Sequence, residues 1–153
     1  MNVIDDNPMA EKVDSSDIPP TMSSWFDMIM EDTKVTKENY IIKQMEQSNI
    51  RLKYMRYKYK YAALLNKEKV DLEWYISQEA EKMSKGSLLK DDKQKLQIIK
   101  GHQQYYERQQ LIGRLQAIYD TISDGLKAVD DIGYAVNNII KENEFNKFLD
   151  RSI

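Results

Sequence analysis

The chain has 153 residues, one domain's worth of protein, with 41% hydrophobic and 31% charged residues and a formal net charge of −2. It contains no cysteine, which excludes disulfides, thiolate zinc sites and cysteine nucleophiles, and no apolar run near the roughly 18 residues of a membrane span. Five glycines and three prolines are too few for the regularly spaced turns of a β-sandwich, so composition points to an all-α protein.

The small net charge hides a strong asymmetry. Residues 1–36 hold eight acids and two bases, whereas residues 37–69 hold nine bases and three acids. Residues 70–100 balance, and residues 101–153 are slightly acidic. The chain reads as an acidic arm, a basic segment and a near-neutral remainder.

Residues 1–22 offer Asp, Ser and Pro but little that could build a core, and are expected to form a disordered acidic arm. Asp5 and Asp6 stand where a signal peptide would carry basic residues, so a cytoplasmic location is expected. The helical domain is then residues 23–153. Ser23 or Ser24 is expected to cap a short helix over about 23–31, with Trp25, Phe26, Met28 and Ile29 as an apolar anchor.

From about 36 to 83 nothing breaks a helix. One stripe runs through Ile50, Tyr54, Tyr57, Tyr61, Leu64, Glu68, Leu72 (or Asp71) and Tyr75 with heptad spacing. A second stripe, Leu52, Met55, Tyr59, Ala62, Ala63 and Val70, lies on the opposite side at 100° per residue. Lys53, Lys60 and Lys67 fall on one flank between the stripes, and Arg51, Lys58 and Lys69 on the other. A helix apolar on two faces calls for two neighbours, and other copies of the chain can supply them.

Ser84-Lys85-Gly86-Ser87 opens a linker over 84–90, and Asp91 and Asp92 supply N-terminal charge for a C-terminal helical segment over about 91–149. Leu115, Tyr119, Ile122, Leu126, Val129, Val136 and Ile140 keep a four-three rhythm and are the expected oligomerisation seam. The register runs through Gly113, Gly125 and Gly133 and favours helix across them, with a bend at Asp124-Gly125. Phe145, Phe148 and Leu149 form a docking patch at the end. The expected architecture is a long antiparallel helical hairpin with a short N-terminal helix. A core this thin favours assembly into an oligomeric ring or barrel.

Chemistry-bearing patterns are sparse. His102 is the single histidine and has no second histidine or cysteine with which to share a metal. No glycine-rich phosphate loop and no serine in a nucleophile elbow is present. Asp91-Asp92 and Asp130-Asp131 read as helix-surface charge. A non-enzyme without metal or cofactor is expected.

The exception is residues 51–61, Arg-Leu-Lys-Tyr-Met-Arg-Tyr-Lys-Tyr-Lys-Tyr, where cations alternate with tyrosines and no acid intervenes. Single-stranded nucleic acid needs cations for its phosphates and flat rings for its bases. Arg51, Lys53, Arg56, Lys58, Lys60, Lys67 and Lys69 are the candidate DNA-binding residues. A helix solvated for its own sake interleaves glutamates as i,i+4 partners, and residues 51–67 contain none. The tyrosines admit two roles, stacking on bases or packing in the seam. The register of Tyr54, Tyr57 and Tyr61 favours packing.

The order of features resembles the UvsY family, the recombination mediators of T-even-like phages. The resemblance rests on Trp25 in the short acidic helix, Glu31-Asp32-Thr33-Lys34, and Asn49-Ile50 through Leu52-Lys53-Tyr54 opening the basic helix. It continues with Leu72-Glu73-Trp74-Tyr75, Gly125 to Val129, Ile132 to Val136, and Phe145, and so covers about residues 24–150. It implies a ring-forming homo-oligomer that binds single-stranded DNA in the host cytoplasm and takes part in recombination, repair and replication. Such a protein loads a recombinase onto strands coated by single-strand DNA-binding protein and contacts both partners. The family's DNA motif is a pair of cations ahead of an aromatic doublet and Ser/Asn-Gly. Lys69 matches the first cation and Trp74-Tyr75 the doublet, while Asp71 replaces the second cation and Ile76-Ser77 the Ser-Gly. The competing expectation is a structural coiled-coil adaptor that binds no nucleic acid.

Overall fold

A computed structural model of the chain describes residues 20–86 and 91–152. These form four helices with no strand among the described residues: α1 (Met22–Thr33), α2 (Tyr40–Gly86), α3 (Asp92–Lys100) and α4 (Gln103–Arg151). No helix is long and apolar enough to cross a membrane among the described residues. The all-α class expected from composition is therefore observed.

Several boundaries differ from expectation for local reasons. Thr21, not Ser23 or Ser24, caps α1: its Oγ1 accepts the Ser24 N–H at 3.1 Å. The expected arm, residues 1–22, lies outside the described residues except for its last three positions, of which Met22 already belongs to α1. Thr36 and Asn39 exchange side-chain to backbone bonds at 2.8 and 3.3 Å, a reciprocal cap that delays α2 until Tyr40. At the far end α2 continues through Ser84, Lys85 and Gly86, which were expected in the linker. Residues 87–90 lie outside the described residues.

The expected C-terminal segment is two helices. Asp91 caps α3 by accepting the Lys93 N–H at 3.0 Å. Gly101 closes α3, with its N–H bonded to the Ile98 carbonyl, and His102 leads into α4. Beyond this break α4 runs without interruption through Gly113, Gly125 and Gly133.

The chain divides into two compact units, Met1–Tyr59 with Asp120–Ile153, and Lys60–Tyr119. In the first, α2 and α4 pair antiparallel: Tyr40 shares a cleft with Ile140 and Lys147, and Gln47 donates to the Val129 carbonyl at 2.9 Å. Trp25, Ile50, Tyr54, Tyr57, Ile122, Val129, Ile132 and Val136 are its buried residues. Trp25 meets Tyr57 edge-on at 5.1 Å. α1 comes close to α4 at Gly125, where an added Cβ would stand 3.0 Å from Ile29 Cδ1. The α1 C-terminus is held by Lys43, whose Nζ donates to the carbonyls of Glu31 and Asp32 at 3.1 Å each.

In the second unit, Leu72, Tyr75 and Ile99 form the buried cluster, with Ile76, Ala80, Met83, Tyr105 and Ile112 against it. Lys95 of α3 is buried, and its ammonium reaches Ser84 Oγ at 2.7 Å. A buried ammonium needs such a partner, so this bond fixes α3 to the end of α2.

The packed stripe of α2 holds six of its expected members but includes Leu65 in place of Leu64. Seven-residue steps of 3.5 per turn drift from the 3.6 of a straight helix, and the buried position moves on by one residue. Ile122, Val129 and Val136, expected between copies, are fully buried inside the chain and have no surface to offer a second copy. Leu115, Tyr119, Leu126 and Ile140 are half-buried.

Candidate nucleic-acid interface

All seven candidate DNA-binding cations lie on α2, with Arg51, Lys53, Arg56 and Lys58 in the first unit and Lys60, Lys67 and Lys69 in the second. Their surroundings differ sharply. Lys53 is engaged within the chain: its Nζ lies 2.8 Å from Asp32 Oδ2, the same oxygen that accepts the Tyr54 hydroxyl at 2.8 Å. The ammonium also stands 5.6 Å from the Tyr54 ring. This three-membered contact ties α1 to α2, and Lys53 acts there as a structural residue.

Arg51 pairs with Asp130 of α4 at 3.0 Å, with both side chains about half exposed. An exposed pair of this kind contributes about 0–1 kcal/mol, so a phosphate can replace Asp130 at little expense. Arg56 is half-buried, and its Nε is buried without a hydrogen-bond partner. Lys58 is half-buried. Lys60 and Lys69 make no ion pair with any described residue. Lys67 is exposed, with Asp71 as a loose partner at 3.9 Å.

The tyrosines separate cleanly. Tyr54, Tyr57 and Tyr61 are buried, and Tyr59 is 47% exposed. Burial, followed by the bond to Asp32, pushes the Tyr54 phenol well above its usual range, and burial raises Tyr61. Both rings are neutral packing elements that bases cannot reach. Trp74 is 64% exposed while Tyr75 is buried, so only the first member of the aromatic doublet presents a face. Tyr75 instead bonds His102 Nδ1 at 3.0 Å and lies under the Arg108 guanidinium.

No protein-family profile, curated protein or solved structure matches this chain.

The acids that neutralise Arg51 and Lys53 come from other helices, at sequence separations of 79 and 21 residues. The i,i+4 pattern of α2 gives no sign of them. Asn66 and Gln116 come together beside Lys69 through the pairing of α2 with α4. Among the described residues no group of three metal-ligating acids or histidines occurs.

Proposed function

We propose that this protein is a non-enzymatic recombination mediator that binds single-stranded DNA and promotes loading of a recombinase onto strands coated by single-strand binding protein. The observation that carries the reading is on α2: across residues 51–67 there is no acid, and Arg56, Lys60 and Lys69 make no ion pair with any described residue. The resemblance to the UvsY family supplies the recombinase and the coating protein as partners and the cytoplasm of a host cell as the location. Exposed Phe26, Met30, Ile41, Ile42 and Met45 support self-association into a ring. Repeating α2 around such a ring turns weak phosphate contacts into avidity.

With Lys53 held by Asp32 and Lys58 also engaged within the chain, five cations are counted for phosphate. Each neutralised phosphate of a single strand contributes about −0.7 to the slope of log K against log salt, so five give about −3.5. Fluorescence anisotropy with a labelled oligo-dT tests this. Micromolar protein binds at low salt, and converting Arg56, Lys60 and Lys69 together to glutamine removes more than half of the slope. Absence of binding at low salt overturns the reading.

A structural adaptor that binds no nucleic acid is the second reading. It is favoured by the three buried tyrosines and by the pairing of Arg51 and Lys53 within the chain. The same titration separates the two.

A further inference from the structure

Among the described residues of the first unit, three ion pairs join α2, or the turn before it, to another helix: Lys37 with Glu142, Arg51 with Asp130 and Lys53 with Asp32. They are not equivalent. The Lys53 pair is fixed, because the Asp32 oxygen that meets it at 2.8 Å also accepts the Tyr54 hydroxyl, and the Asp32 side chain is only 22% exposed. The Lys37 pair stands ahead of α2 and of its acid-free run. Arg51 opens that run, and one hydrogen bond holds its pair, from Nε to Asp130 Oδ1 at 3.0 Å, with side chains 51% and 57% exposed. Its Nη1 also reaches the Met55 sulfur at 3.3 Å, a weak acceptor.

A guanidinium binds a carboxylate or a phosphate through the same N–H groups. The Asp130 carboxylate therefore occupies a donor that a phosphate of the strand would use. Two differences decide which anion wins. The carboxylate is carried by α4, so it meets Arg51 at a high effective concentration that a free anion lacks. A phosphate of a strand arrives joined to others, and Arg56, five residues on along α2, makes no ion pair with any described residue. An exposed pair holds weakly, so one or two such neighbouring contacts suffice to tip the exchange towards the strand.

We propose that Asp130 is a built-in competitor for the phosphate site at Arg51, which lowers the affinity of that site until a strand displaces the carboxylate. The proposal rests on the single-stranded DNA reading and adds to it a residue of α4 that regulates a contact made by α2.

The test compares Asp130→Asn with Asp131→Asn in anisotropy titrations with labelled oligo-dT. Asp131 is the next residue of α4, is exposed and makes no ion pair with any described residue, so the two variants change the net charge equally. Asp130→Asn binds about 2- to 5-fold more tightly than Asp131→Asn, the range of one exposed ion pair. With Arg51→Gln added to each, the two bind alike, because the contact for which Asp130 competes is gone. Both acids are exposed, so both variants are expected to keep their fold, checked by their thermal midpoints. If the two variants bind alike while Arg51 is present, or if their difference survives Arg51→Gln, the competitor role is overturned while strand binding stands. If Asp130→Asn binds more weakly than Asp131→Asn, the pair serves the fold and not the site, and the proposal is again overturned. If neither the wild type nor any variant binds at low salt, the single-stranded DNA reading fails and this proposal fails with it.

Discussion

At Tyr54 a phenol, a carboxylate and an ammonium meet around one oxygen of Asp32, beneath the aromatic contact of Trp25 with Tyr57. Because burial and the Asp32 bond hold the Tyr54 proton more tightly in the folded chain, stability depends on pH in a defined direction. Below about pH 10, the usual phenol value, folded and unfolded chains are both protonated and the contribution is complete. Above it the unfolded chain ionises first, so stability falls as pH rises. Thermal midpoints should drop as pH rises above about 10, and Tyr54→Phe should reduce that drop. Tyr61, shifted the same way, leaves a residual slope.

Two glycines of α4 predict opposite outcomes on the same physical scale. Gly113 has nothing within 4 Å of an added Cβ, so Gly113→Ala should stabilise the chain by roughly 0.5–1 kcal/mol through helix propensity. Gly125 faces Ile29 at 3.0–3.1 Å, and Gly125→Leu should destabilise by about 1–3 kcal/mol through overpacking. Urea denaturation of both variants measures the contrast.

At the scale of elements, capping decides the boundaries. Thr21 and Asp91 each accept an orphan N–H of the helix that follows, and replacing either by alanine should remove about 0.5–2 kcal/mol of stability in urea denaturation. The long helices were legible in the sequence because α2 contains no proline and no glycine before Gly86, and because its tyrosine stripe keeps register over seven turns. The break between α3 and α4 was not. Gly101 closes α3 in ordinary right-handed geometry, and its neighbours carry no proline to announce a stop. Position 65 was missed for a related reason: Leu64 and Leu65 are equally apolar, and only the accumulated drift of a straight helix decides which is buried. The seam of α4 was found as a pattern, but three of its members, Ile122, Val129 and Val136, pack within the chain. An apolar stripe reports that something covers it and not what does.

At the scale of the whole molecule, the net charge of −2 conceals a basic helix between acidic neighbours. The charge was legible from sequence; its partial neutralisation was not, because Asp32 and Asp130 approach α2 only through the fold. What remains is a helix on which Arg56, Lys60 and Lys69 make no ion pair with any described residue, so affinity is expected to come mainly from counterion release. The most direct measurement of this is the salt dependence of oligo-dT binding. The account predicts binding at low salt with a slope of about −3.5, falling to less than half when Arg56, Lys60 and Lys69 become glutamine. A chain that fails to bind at low salt, or whose slope is unchanged by those three substitutions, would contradict it.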